Sequence, residues 1–350
     1  VFHAGYLLPF SDPNVLTHFS PGTIINWHHF VYILGTVGVS IFFVLSGFLL
    51  FYQMYKHKEK LTIPRLKEYA KKRLLRILPL YIFSIFVIIF FFRPEILSAD
   101  GSIRAIIYNL LFIRGIHADG ASKITINPVY WSLIIEMHFY FILPIFYAVF
   151  YKYQRAFWFL ILAGLGITYR ALLITIFDQP TMQFLRFTPA NLDFFAFGML
   201  GAYLYIQQKQ WLEPLGRAWS QIALLIAFLG FIYFYDLEFG ATLSYVFAPT
   251  FFGFIATACM LSLMLNQHTR LVRAITWTPI LFIAQISFSI YIWHAVIIEQ
   301  LEAQTFSNGL KFFLSIVFTL LFSTITYYLV EAPFLKKKFK KSETVINEGM

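Results

Sequence analysis

Apolar residues in this chain come in long blocks, and polar residues are confined to the short breaks between them. A helix crossing the hydrocarbon core of a bilayer needs about 20 apolar residues. Blocks of that order occupy residues 32–52, 74–92, 129–151, 157–177, 190–206, 219–235, 243–265, 279–298 and 312–330. Residues 1–9 read as the tail of one more such helix, stopped at Pro9. The stretch Val1-Phe2-His3-Ala4-Gly5 has no initiator Met and no signal peptide, so this first helix is expected to be truncated. Residues 103–113 are amphipathic but too short to cross. The pattern predicts an all-α polytopic membrane protein with about ten transmembrane helices. Residues 1–335 form its transmembrane domain and residues 336–350 a basic tail. There is no internal repeat and no low-complexity segment.

The polar breaks set an orientation. Residues 56–76 carry Lys56, Lys58, Lys60, Arg65, Lys67, Lys71, Lys72, Arg73 and Arg76. If they are cytoplasmic, strict alternation puts Lys152 and Arg155, Lys209 and Arg217, Arg270 and Arg273, and the lysine-rich tail on the same side. The intervening loops 10–31, 236–242 and 299–310 contain no Lys or Arg. The 93–127 loop, with Arg93, Arg104, Arg114 and Lys123, is discordant. The positive-inside rule then places both ends of the full protein, C-terminus included, in the cytoplasm.

Composition agrees with the pattern. The chain has 350 residues, 59% hydrophobic and only 13% charged, against about 25% charged in soluble domains. The net charge of +10 lies in short loops and the tail. It is therefore read as charge facing anionic lipid, and nucleic acid is not expected as a partner. The single Cys259 excludes an intrachain disulfide and any CxxC motif, and reads as a small packing residue. There is no Gly-rich phosphate loop, GxSxG elbow or HExxH pair, so no metal is expected.

A few polar residues inside the apolar blocks carry the chemistry. Residues 130–144 read YWSLIIEMHFYFILP. A carboxylate at the centre of a spanning helix costs about 2.5–3.5 kcal/mol on insertion scales, so Glu136 is either hydrogen-bonded structure or function. Ser132, Glu136 and Tyr140 recur every fourth residue and share one face, whereas His138 points elsewhere. Arg170 and Asp193 either pair or line a cavity. Arg73 and Arg76 share a helix face, with Lys72 one turn before Arg76. They suit either lipid headgroups or the phosphates of a ligand, which guanidinium groups clamp bidentately. Gly35, Gly38, Ser40, Ser46 and Gly47 read as small residues that let helices approach closely. His3 is structural, or a base if a carboxylate meets it, and His294, towards the outer end of its block, reads as structural. Glu331 reads as a cap or an ion-pair residue.

Taken together and in order, these motifs resemble the integral-membrane acyltransferase 3 family. The resemblance runs through Phe42-Phe43-Val44-Leu45-Ser46-Gly47-Phe48-Leu49, Arg73-x-x-Arg76-Ile77-x-Pro79-x-Tyr81 and Trp131-Ser132-Leu133-x-x-Glu136-x-x-Phe139-Tyr140. It continues through Asn191-Leu192-Asp193 to Gly198, Ser287-Phe288-Ser289-Ile290-Tyr291 with His294, and Glu331-x-Pro333, covering essentially the whole chain. It implies a ten-helix enzyme moving an acyl group, usually acetyl, from cytosolic acyl-CoA to a hydroxyl of an exported or cell-surface glycan. The family's first-helix His matches His3, and a basic residue, usually Arg, precedes that His in the family. Some members carry a further SGNH-type hydrolase domain, which is not expected after this short basic tail.

The resemblance implies that Arg73 and Arg76 hold the donor's phosphates and that His3 is the general base or a transient acyl carrier. Glu136 would then orient His3. Ser132, Tyr140 and His294 would line the acceptor's path from the outer side, near the 10–31 and 93–127 loops. The expected location is the bacterial inner, cytoplasmic membrane. Two alternatives stay open on the residues alone. One is a polytopic transporter or flippase without transferase chemistry, the other a scaffold without catalysis.

Overall fold

In this computed structural model the structure describes residues 27–113, 124–177, 186–208, 210–234 and 241–335. All regular elements there are helical, with no strand among the described residues. In chain order they are α1 (Trp27–Tyr55), α2 (Ile63–Val87), α3 (Glu95–Ser98), α4 (Ser102–Leu110), α5 (Tyr130–Tyr153), α6 (Phe157–Phe177) and α7 (Leu192–Gln207). There follow α8 (Ala218–Phe234), α9 (Ala241–Leu265), α10 (Arg270–Ile275), α11 (Thr278–Gln285), α12 (Ser287–Glu302) and α13 (Asn308–Thr326). π-helical turns extend α2 over Ile88–Phe92 and α13 over Tyr327–Glu331.

Among the described residues six helices are long and apolar enough to cross a membrane, or up to eight if two sharply bent pairs each count as one span. The expected count of about ten is thus not reached among the described residues. Residues 1–9 lie outside them, and α7, with 16 residues, is shorter than a full crossing. The chain is a multi-pass helical membrane protein.

Two local expectations change. The basic segment 56–76 is not simply a loop, because α2 starts at Ile63 and takes up Arg65 through Arg76. Lys and Arg are good helix formers, and Glu68 pairs with Lys72 one turn on. The block 279–298 is not one straight helix, since α11 and α12 meet at 70° around Ile286. Ser287 and Ser289 follow the bend, and serine hydroxyls compete with helical backbone bonds. A similar 75° bend separates the turn Gln210–Gly216 from α8. Arg93, one of the discordant loop cations, is neutralised by an ion pair with Glu299 on α12.

The helices form two compact units. Of the described residues, one unit holds those within 27–62 and 131–277, the other those within 63–130 and 278–335. In the first, α1 and α7 touch backbone to backbone. A Cβ on Gly47 would lie 2.4 Å from the Phe195 carbonyl oxygen, and one on Gly198 would lie 2.1 Å from that of Val44. No other residue fits at either contact without moving a helix. Beside this seam Phe195 stacks on Phe139 of α5 at 3.9 Å and meets Phe43 at 4.9 Å. Exposed apolar residues on α5, such as Phe141 and Ile145, point away from its polar face.

In the second unit, α12 packs on α13 around the fully buried Trp293, whose ring meets Phe322 edge-on at 4.8 Å. Asn127 ties its loop to α12 by donating to the Ile292 carbonyl at 2.8 Å. Tyr81 of α2 donates to the Asn109 carbonyl at 2.9 Å, and Ser84 meets the Tyr130 hydroxyl at 2.7 Å. These bonds fix the lower-polarity half of α2 and leave its basic half, Arg65 to Arg76, at one end.

Candidate functional site

Glu136 sits within α5 and is buried, only 4% exposed. The i, i+4 spacing brings the Tyr140 hydroxyl onto its Oε1, to which it donates a hydrogen bond. Ser132, one turn earlier, is buried on the same helix. A second hydroxyl comes from another helix: Ser46 of α1 lies 3.4 Å from Oε1 and donates to it. The glycine contact at Gly47 presses α1 into this unit and sets where Ser46 stands. The result is a carboxylate removed from water and oriented by hydroxyls from two helices. Such a group can accept a further hydrogen bond, orient a neighbouring base and stabilise it when it is protonated.

His138 turns away from this face, as the spacing requires. Its Nδ1 lies 2.7 Å from Thr188 Oγ1, in the turn that leads into α7. Arg170 and Asp193 pair with each other. Arg170 Nη2 donates to Asp193 Oδ2 at 2.6 Å and to Thr250 Oγ1 at 2.7 Å, while Nε donates to the Val246 carbonyl at 2.9 Å. The Ala190 carbonyl takes a further bond from Nη1. Thr250 in turn donates to Asp193, so the cluster is closed on itself. It ties α6, α7 and α9 together.

The other unit holds the two arginines. Arg73 stacks over the Tyr69 ring at 5.9 Å. Arg76 lies over the Phe288 ring at 6.0 Å, with Nη1 3.8 Å from Glu331 Oε2. Lys72 is engaged by Glu68. His294 is also in this unit, half-buried on α12, with Nδ1 donating to the Ile290 carbonyl at 3.1 Å one turn back. His3 lies outside the described residues, as do Arg114, Lys123, the start of the 10–31 loop and the basic tail. Among the described residues no three His, Cys, Asp or Glu side chains gather as metal ligands would.

Sequence reasoning missed two members of these clusters. Ser46 reads as one more small packing residue, and the only hint of another role is a hydroxyl in an otherwise apolar run. Thr250 carries no signal at all, because a threonine in a spanning helix can satisfy its own backbone.

Comparison with known proteins gives this geometry a family. Residues 1–328 match the family model described as an acyltransferase domain. The chain is 28% identical over 326 residues to the peptidoglycan O-acetyltransferase OatA of Listeria monocytogenes, covering 87% of this chain and 52% of that protein. It is 25% identical over 327 residues to the O-acetyltransferase OatA of Staphylococcus aureus, covering 87% and 53%. The chain thus spans about half the length of the curated relatives it matches. No solved structure matches it significantly. A match across nearly the whole chain, on a helical membrane scaffold, places this protein in the acyltransferase 3 family.

Proposed function

We propose that this protein transfers an acyl group, acetyl in the first instance, to a hydroxyl of an exported or cell-surface glycan. Peptidoglycan is the acceptor class to test first, because the Listeria relative is named for it. The donor is acyl-CoA arriving from the cytosol, and Arg73 and Arg76 hold its phosphates by charge and bidentate hydrogen bonds. His3 takes the proton from the acceptor hydroxyl as the oxygen attacks the thioester carbonyl. The carbon–sulfur bond breaks, an ester forms on the glycan, and the CoA thiolate leaves and takes up a proton. Glu136 orients and charge-stabilises His3. Ser132, Tyr140 and His294 line the acceptor's approach. The protein sits in the cytoplasmic membrane of a bacterium, with its basic tail in the cytosol. Residues 1–335 are the transmembrane catalytic domain.

The observation that carries this reading is the Glu136 cluster. A buried carboxylate in a spanning helix, aligned by Ser46 and Tyr140 from two helices, is a costly arrangement that pure packing does not need. The test is Glu136→Gln in the full-length protein, in cells lacking the native gene. Mild-alkali release and mass spectrometry then measure acetyl groups on the wall glycan. Acetylation should fall by about 10²–10⁴-fold, the usual contribution of positioned acid–base chemistry, with membrane levels of the protein unchanged. Wild-type acetylation in this variant would sink the proposal. Release of CoA from radiolabelled acetyl-CoA in proteoliposomes separates transfer from simple transport.

A further inference from the structure

The pair formed by Arg76 and Glu331 is unusual in what it leaves open. Glu331 ends the π-helical turn after α13, a type of local distortion often found at functional sites. It is 2% exposed. Its Oε1 accepts a hydrogen bond from Ser289 on α12. Ser289 is itself held in a chain, with Thr326 Oγ1 3.4 Å away and Trp293 Nε1 donating to Thr326 at 3.0 Å. Nearby, Gln285 donates to the Tyr327 hydroxyl at 2.8 Å, so the bend between α11 and α12 is fastened to the same turn. Glu331 is therefore fixed in place.

Its other oxygen, Oε2, is buried and accepts no hydrogen bond among the described residues. It faces Arg76 Nη1 at 3.8 Å, too far for a hydrogen bond but close enough for charge attraction. The Arg76 side chain is 36% exposed. Its guanidinium rests over the Phe288 ring. Arg76 is thus held by a charge and a ring face, and neither consumes its N–H donors. A long arginine side chain loses much rotamer freedom when it grips an anion. A fixed carboxylate behind it reduces that loss in advance.

We propose that Glu331 is a positioning residue for Arg76, keeping its guanidinium fork aimed and its donors free for a phosphate group. This rests on the reading above, in which Arg76 binds the phosphates of the acyl donor. Ser289 acts one step further back, by fixing Glu331.

Steady-state kinetics of the full-length protein in proteoliposomes, with acetyl-CoA as donor, test this. Glu331→Gln keeps the shape and can keep the Ser289 bond, but removes the charge. Its KM for acetyl-CoA should rise about fivefold, the scale of one partly exposed ion pair. Its kcat should stay within about twofold, because uniform binding rather than transition-state binding is lost. Arg76→Lys should also raise the donor KM, and adding Glu331→Gln to it should change nothing more. A normal donor KM in Glu331→Gln beside a raised one in Arg76→Lys overturns the positioning role and leaves the donor site standing. A normal donor KM in Arg76→Lys overturns both. Ser289→Ala is the gentler variant, to be used if Glu331→Gln fails to accumulate. It should raise the donor KM in the same direction by less, and an unchanged KM there also overturns the proposal.

Discussion

Each of the two units contains an arginine paired with a buried carboxylate, and the two pairs are built for different ends. Arg170 is 1% exposed at its side chain and Asp193 is fully buried. Arg170 donates to the Val246 and Ala190 carbonyls, to Thr250 and to both oxygens of Asp193. Asp193 also accepts from Thr250 and from the Phe194 amide. Nothing in that cluster is left to bind anything else. Arg76 and Glu331 have the same two residue types, yet Arg76 makes no hydrogen bond among the described residues and Glu331 keeps one oxygen unmet. A buried charge is costly unless it is paired and hydrogen-bonded. The closed pair meets that requirement internally and holds three helices together. The open pair meets it only in part, and a ligand could complete it.

The same substitution at both arginines breaks this comparison most directly. Arg170→Lys keeps the charge but replaces five fixed donors with three on a compact head. It should cost about 2–4 kcal/mol, between the loss of one charge-assisted hydrogen bond and the loss of a whole buried pair. A lowered thermal unfolding midpoint of the purified protein in detergent would record it. A midpoint equal to wild type would mean the cluster does not hold the unit together. Thr250→Val removes the one hydroxyl that touches both members of the closed pair, and should cost about 1 kcal/mol in the same measurement. Arg76→Lys should shift stability by no more than about 0.5 kcal/mol, as a half-exposed substitution without hydrogen bonds to lose. Its effect belongs in the donor KM instead. A large stability loss at Arg76 would erase the distinction between the two pairs.

Much of the fold and part of the site could be read from residues in order. The run lengths predicted a helical membrane protein, and the four-residue spacing put Ser132, Glu136 and Tyr140 on one face of one helix. The Tyr140–Glu136 bond is a local consequence of that spacing. The same rule sent His138 away, to Thr188. Lys and Arg density alone hid the start of α2, because charged residues mark a solvated segment without saying whether it is coiled or helical. The bend at Ile286 was hidden too, since an apolar run of spanning length reads the same whether straight or broken.

The order of residues locates the charges within the apolar blocks, shows which of them share a helix face, and requires a helical membrane protein. Those properties follow from burial cost and a fixed helical period, both local quantities. Partners across helices come from the tertiary packing. It matched Ser46 to Glu136 and Asp193 to Arg170, and it set Glu331 between Ser289 and Arg76. Arg76 follows a basic run and Arg170 lies inside an apolar one, yet neither local sequence names the carboxylate that the arginine will meet. That pairing depends on which helices touch, and helix contacts in lipid are set by small residues and shape, as at Gly47 and Gly198, over distances that no sequence window spans.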